Sequence, residues 1–159
     1  MSVEEAPAVA GRRRYGRGAE RGPGYGYVSE DYQPLFVRVS ELPAALAEGG
    51  RGAGYLPLVQ FIKDWNRMPW CRGAMLDGPP PERTDPEVAA KIAAVVHALC
   101  DVDGEPVPDW VPAAVASRDV PLVPRLNLES EFGRRLRATA APACRHHRVW
   151  FSAELLDST

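Results

Sequence analysis

The chain has 159 residues, 45% of them hydrophobic and 25% charged, which is typical of a globular protein and excludes a wholly disordered one. Its net charge of -2 excludes a domain that wraps nucleic acid with its whole surface, because that would require a strongly basic surface. A local basic patch is still compatible with this charge. We therefore expect one small folded domain.

Residues 1–30 are rich in arginine, glycine and tyrosine and hold almost no large aliphatic side chains. Such a segment buries too little apolar surface to offset the entropy lost on ordering. We predict a disordered tail over 1–30 and a single, mostly helical domain over 31–159. The tail also supports an alternative function, electrostatic nucleic-acid binding through the tail and the "GRRLR" face at 133–137. The candidate residues for it are Arg12, Arg13, Arg14, Tyr15 and Arg17.

The first part of the domain alternates between extended and helical patterns. "PLFVRV", residues 34–39, has the β-branched and aromatic content of a short edge strand, and Ser40 is a plausible N-cap for a short helix over 41–48. The next segment, 55–68, predicts an amphipathic helix with Asp64 on its polar face. Its apolar face holds Leu58, Phe61, Ile62 and Trp65.

The best-signalled helix begins at Thr84 or Asp85, both good caps, with Pro86 at the first helical position, and ends near Cys100. Its broad apolar stripe predicts that it is the central helix of the fold. The turn-rich connection that follows carries Trp110, which we expect to pack against the core.

The last third of the chain predicts two more helices and a strand. Residues 128–140 have helical spacing through Leu128, Phe132 and Leu136, with acids early and arginines late. A short helix starts at Pro142, and a strand of three residues, 149–151, follows it. The predicted fold class is mainly α: a small helical domain with one or two short strands.

Metal and catalytic chemistry have weak support in this pattern. Cys144 and His147 stand three apart with His146 between them, but no second pair completes a zinc site, so we expect a surface histidine pair and a small buried thiol. His97 is expected to be a partly buried, hydrogen-bonded histidine. An enzymatic role for these histidines would require two titratable groups within hydrogen-bond reach in a concave pocket. We predict a protein that is not an enzyme and has neither cofactor nor metal.

Three cysteines at wide spacings, with no secretory signal, favour a reducing compartment over a disulfide framework. No apolar run approaches the roughly 18 residues of a membrane span. We expect a cytoplasmic protein that does not bind membranes. The glycine-rich "GRGAGY", residues 50–55, lacks the ending of a phosphate-binding loop and is predicted to be a plain loop.

Arginine carries the remaining functional signal, as a basic C-terminal face suited to phosphates or to an acidic partner. A solvated helix end that complements the helix dipole explains the same residues without a partner. The candidate partner-binding residues are Arg134, Arg135, Arg137, Arg145 and Trp150.

Two motifs give a family resemblance. One is a "G-x-P-x-P-x-W" connection with Gly104, Pro106, Pro108 and Trp110, and the other is "P-A-x-x-R-x-x-x-[VI]-x-[FI]" followed by "D/E-L-L". In this sequence the second motif is Pro142, Ala143, Arg145, Val149, Phe151, Leu155 and Leu156. Over residues 56–157 the chain resembles a small helical domain common in actinobacteria, found next to nucleotidyltransferase-type toxins or fused behind a helix-turn-helix in their presumed antitoxin regulators.

The resemblance implies an antitoxin-like regulator that binds a protein partner, such as a nucleotidyltransferase-like toxin. The chain departs from the pattern upstream, because residues 1–54 offer too little helix for a helix-turn-helix. We therefore do not expect this chain to bind DNA by itself.

Overall fold

The computed structural model describes residues 35–48 and 54–159, so the predicted tail over 1–30 lies outside the described residues. Short 3-10 turns cover Val39–Glu41, Pro69–Cys71 and Ala153–Asp157. The prediction of a mainly helical fold with short strands is confirmed. The helices are α1 (Leu42–Glu48), α2 (Leu56–Arg67), α3 (Arg72–Met75), α4 (Pro86–Asp103), α5 (Glu131–Thr139) and α6 (Pro142–His147), and the strands are β1 (Val120–Pro121) and β2 (Val149–Trp150).

Helix α4 is the predicted central helix, and it packs against α1, α2, α6 and β2. Asp85 caps it by accepting hydrogen bonds from the backbone N–H groups of Glu87 and Val88, which decides between the two candidate caps. The helix ends at Asp103, three residues later than expected, because Gly104 takes the left-handed conformation with φ 70°. Its buried residues are Ala90, Ile92, Ala93, Ala94, Val95, Val96, Ala98, Leu99 and Cys100.

Helix α2 buries its predicted apolar face, but the expectation that Asp64 lies on the polar face is wrong. Asp64 is fully buried. Its carboxylate accepts hydrogen bonds from the backbone N–H of Val37, at 3.0 Å, and from the Gln60 side chain, at 2.8 Å. A buried carboxylate is tolerated because these donors replace water.

The strand predicted over 34–39 is wrong for most of its length. Leu35 makes a single β-bridge, residues 36–38 are irregular, and a 3-10 turn begins at Val39. The backbone N–H of Val37, which a neighbouring strand would have bonded, donates to Asp64. The predicted helix over 41–48 is present as α1 (Leu42–Glu48), directly after this turn. Ser40 lies inside the turn, whose start is closed by the hydrogen bond from the Arg38 backbone N–H to the Glu41 carboxylate.

Strands β1 and β2 pair in parallel, with Val120 opposite Val149 and Pro121 opposite Trp150. This pairing brings the end of the 104–119 connection beside α6. Trp110 packs against the core from that connection, as predicted. Within the described residues, no helix has the length and apolar character needed to cross a membrane.

Candidate functional site

Helix α5 begins at Glu131, three residues after the predicted start, because the Ser130 hydroxyl accepts a hydrogen bond from the Gly133 backbone N–H at 3.0 Å. The predicted helical spacing through Leu128, Phe132 and Leu136 is present only from Phe132 to Leu136, because Leu128 precedes the helix. Leu128 and Leu136 are buried, whereas 56% of Phe132 is exposed.

The turn over 127–130 packs directly on α5 at Gly133. A Cβ atom at that position would lie 2.6 Å from the Leu128 Cα and 2.7 Å from its carbonyl carbon. Only glycine allows the two backbones to approach this closely. This contact holds the start of α5, and with it Phe132, in a defined place.

An open groove of about 570 Å³ lies between α5 and the segment after β2. We call it the α5 groove. Most of its lining is apolar. Phe132 and Arg135 lie on its α5 side and Glu154 lies on the side formed by the segment after β2, so the two sides carry charges of opposite sign. Its lining residues are Phe132, Arg135, Leu136, Ala138, Thr139, Ala140, Phe151, Ser152, Ala153 and Glu154.

Asp119 forms hydrogen bonds with Arg137, Arg148 and Trp150, and Arg137 and Trp150 are chain neighbours of residues that line the groove. One carboxylate oxygen accepts from the Arg137 guanidinium at 3.0 Å, and the other accepts from Arg148 and from the Trp150 indole N–H, both at 3.2 Å. The Arg137 guanidinium also lies over the Trp150 ring, 5.3 Å from its centroid.

Burial alone would raise the pKa of Asp119. The hydrogen bonds from Arg148 and Trp150 and the positive charges of Arg148 and Arg137 outweigh that effect and lower the pKa below its usual value. Asp119 is therefore ionised at neutral pH, and this cluster of Asp119, Arg137, Arg148 and Trp150 is a structural unit.

The five predicted partner-binding residues fall into two groups. Trp150 is 5% exposed and Arg137 is held by Asp119, so both are committed to the fold. Arg134, Arg135 and Arg145 are exposed. The Arg134 guanidinium donates to the Glu129 carbonyl, whereas Arg135 and Arg145 have no side-chain partner among the described residues. Partner binding by these residues stays a prediction.

All three histidines of the chain meet at the junction of α4 and α6. The His97 Nδ1 and His147 Nε2 atoms are 2.9 Å apart, and His97 Nε2 faces an Asp101 carboxylate oxygen at 3.7 Å. The ring centroids of His97, His146 and His147 are 4.6 to 5.8 Å from one another. We call this group the histidine cluster.

The histidine cluster fastens the 104–119 connection to α6. His147 Nδ1 lies 2.6 Å from the Ala114 carbonyl oxygen and His146 Nε2 lies 2.8 Å from that of Pro112. Arg148 continues the series by donating to the Ser117 carbonyl at 3.0 Å. Three consecutive residues thus satisfy backbone carbonyls that the irregular connection cannot satisfy itself.

His147 is fully buried, so the expectation of a surface histidine pair is wrong for this residue. Burial, with smaller contributions from the neighbouring His146 and His97, lowers the pKa of His147 to about 4 against the opposing effect of the hydrogen bond to Ala114. The expectations of a partly buried, hydrogen-bonded His97 and a buried Cys144 thiol are confirmed.

The other candidate chemistry gains no support from the described residues. Among residues 35–48 and 54–159, no group of three or more histidine, cysteine or acidic side chains is arranged to hold a metal ion. Burial raises the pKa of Cys71 to about 12 and that of Cys100 to about 11, which keeps both as unreactive thiols. His97 and His147 are within hydrogen-bond reach, but neither lines the α5 groove.

The candidate nucleic-acid residues Arg12, Arg13, Arg14, Tyr15 and Arg17 lie outside the described residues, as does most of the glycine-rich loop at 50–55. Nucleic-acid binding through the tail stays a prediction. Asp119 and the exposure of Phe132 were missed by sequence reasoning, because neither residue has a distinctive pattern around it. Comparison of the chain with protein-family models, curated proteins and solved structures gives no match.

Proposed function

We propose that this chain is a protein-binding regulator that receives an apolar segment of a partner protein, with an adjacent acidic residue, in the α5 groove. The observation that carries the proposal is the position of Phe132: a large aromatic side chain, 56% exposed, on the wall of an open apolar groove. Exposed aromatic side chains beside a groove are typical of protein-binding surfaces.

The charge next to Phe132 defines the partner further. Arg135 lines the same wall and has no ion-pair partner among the described residues. Aromatic and arginine side chains dominate the binding energy of many interfaces. An acidic residue flanking the apolar segment would pair with Arg135, while Glu154 on the opposite wall would repel it and so select one orientation of the segment.

The contacts that hold α5 in place favour binding without rearrangement of the groove. Asp119 holds Arg137 against Trp150, and the turn at Leu128 packs on Gly133, so α5 is fixed at both ends. A surface that is already ordered loses less entropy when it binds.

The proposed partner follows from the family resemblance. Phe151, one of the residues that carry the resemblance, lines the α5 groove. We therefore propose that the segment belongs to a nucleotidyltransferase-type toxin and that the chain acts as an antitoxin-like regulator without catalysis of its own.

The test begins with co-purification of the full chain from its native host, followed by affinity measurement with the recovered partner. We expect the double variant Phe132→Ala with Arg135→Glu to bind the partner at least about thirtyfold more weakly, as loss of a binding hot spot predicts. A matched control, Val102→Ala with Arg83→Glu, changes an exposed apolar and an exposed basic residue away from the groove.

Equal affinities of the two double variants would refute the groove as the binding site. Recovery of the chain alone, as a monomer, would refute the proposed function itself. A partner without nucleotidyltransferase character would leave the groove proposal in place and remove the assignment of the toxin.

A further inference from the structure

The hydrogen-bond directions in the histidine cluster can be assigned from its partners. The carbonyl of Ala114 only accepts, so His147 Nδ1 carries a proton and donates to it. If His147 is neutral, its Nε2 has a lone pair, which accepts the proton of His97 Nδ1 at 2.9 Å. With His97 in this tautomer, the arrangement requires a neutral His147.

Protonation of His147 would change this arrangement. An imidazolium has two donors and no acceptor, so His97 would have to move its proton from Nδ1 to Nε2 before its Nδ1 could accept from His147. The added charge would also lie on a fully buried ring. Unpaired buried charges are strongly unfavourable.

The surroundings of His147 do not compensate for such a charge. On α4, the Asp101 carboxylate faces His97 Nε2, the nitrogen that points away from His147. On α6, the nearest titratable group is His146, and the Arg145 side chain is exposed. In the connection, the Asp119 carboxylate is engaged by Arg137 and Arg148.

Among the described residues, then, no carboxylate lies within ion-pair distance of the His147 ring. The neighbouring groups that could become charged, His97 and His146, would carry the same sign and disfavour its protonation.

We propose that the histidine cluster is a pH-sensitive latch: neutral His147 holds residues 112–116 against α4 and α6, and its protonation releases them. The backbone of the segment shares this attachment, because the Ala116 N–H donates to the His147 carbonyl at 3.0 Å. The latch goes beyond the proposed partner binding and does not depend on it.

The direction of the pH effect follows from linkage. In the released form His147 is in water, where its pKa has the usual value of 6.5, whereas in the closed form burial lowers the pKa to about 4. The released form therefore binds the proton more readily. The closed form has its full stability above pH 6.5 and loses it as the pH falls toward 4.

The test is amide hydrogen exchange of the full chain at pH 7.5 and pH 5.0, expressed as protection factors so that the intrinsic pH dependence is removed. We expect the Ala116 protection factor to fall about thirtyfold at pH 5.0, while the amide of Val96 in α4 changes much less. No change at Ala116 would overturn the proposal. An equal fall at Ala116 and Val96 would also overturn it, because that result indicates global unfolding.

Two variants separate His147 from its neighbours. His147→Asn keeps an N–H donor near the Ala114 carbonyl but does not titrate, so we expect the pH dependence at Ala116 to disappear. His146→Asn, the matched control, should keep it. Persistence of the pH dependence in His147→Asn would contradict the latch.

If His147→Asn does not fold, an NMR titration of the His147 ring in the unmodified protein tests the same proposal. A midpoint below pH 5 supports the latch. A midpoint near 6.5, with the ring still attached to Ala114, overturns it.

Discussion

Helix α4 and the connection after it are held in place in opposite ways. Helix α4 satisfies its own backbone groups, so its apolar stripe can be buried by packing alone. The connection over 104–119 has no regular hydrogen-bond ladder, and its carbonyls at Pro112, Ala114 and Ser117 are bonded by side chains of the His146–Arg148 run. Where regular structure stops, side-chain donors take over its role.

The largest loss of stability should come from helix α4, which is held by apolar packing. Ile92→Ala opens a cavity in the centre of α4 packing, and we expect it to lower the free energy of unfolding by about 3 kcal/mol. Chemical denaturation measures this. The matched control, Val102→Ala, is on the same helix with its side chain 68% exposed and should change stability by less than about 0.5 kcal/mol. Equal losses in both variants would contradict the central role of α4.

The polar side of the comparison depends on Asp119. Asp119→Ala leaves Arg137, Arg148 and the Trp150 indole without their shared acceptor, and we expect a loss of about 2 kcal/mol in the free energy of unfolding. Asp109→Ala, an exposed acid in the same connection, is the control and should be nearly neutral.

The lowered pKa of Asp119 also predicts how stability depends on pH. Its pKa is lowered in the folded protein, so the stability that it contributes is complete above its usual pKa of 3.8 and is lost as the pH falls through the lower folded-state value. Denaturation midpoints measured below pH 4 should therefore depend less on pH in Asp119→Ala than in the unmodified chain. Identical pH dependence would show that the cluster does not stabilise the ionised form.

A smaller effect is expected at the start of α4. Asp85→Ala removes the acceptor for the N–H groups of Glu87 and Val88 and should cost about 1 kcal/mol of unfolding free energy. Thr84→Ala is the matched control, because the Thr84 hydroxyl has no partner among the described residues. A larger loss at Thr84 would reverse the assignment of the cap.

The smallest effect should be at Phe132, where the ring is available to a partner and contributes little to folding. We expect Phe132→Ser to change the free energy of unfolding by less than about 0.5 kcal/mol, whereas Leu136→Ser, one turn away and buried, should lose several times more. A large loss at Phe132 would show that the ring belongs to the core and would weaken the proposed groove.

Sequence patterns predicted the long helices well because their signals are local. Asp85 and Pro86 begin α4, Gly104 ends it, and the apolar spacing between them defines one buried face. The helical spacing from Leu128 did not indicate the exposure of Phe132, which lies in the first turn of α5 because the helix begins three residues later than predicted.

The strand over 34–39 failed for a different reason. Leu35, Phe36 and Val39 are buried and Val37 is half-buried. The backbone N–H of Val37, however, donates to the carboxylate of Asp64, 27 positions away, and not to a neighbouring strand. β propensity depends on the availability of a neighbouring strand, and no local pattern indicates whether one is there.

By itself, the sequence determined the mainly helical class, the central helix and the identity of the basic C-terminal residues, because composition, periodicity and capping act over a few neighbouring positions. Only the tertiary structure decided which arginines are engaged and which are exposed, that Phe132 lies on an open groove, and that three histidines from two helices meet on one loop. These features depend on contacts between residues as many as 50 positions apart, where local patterns carry no information.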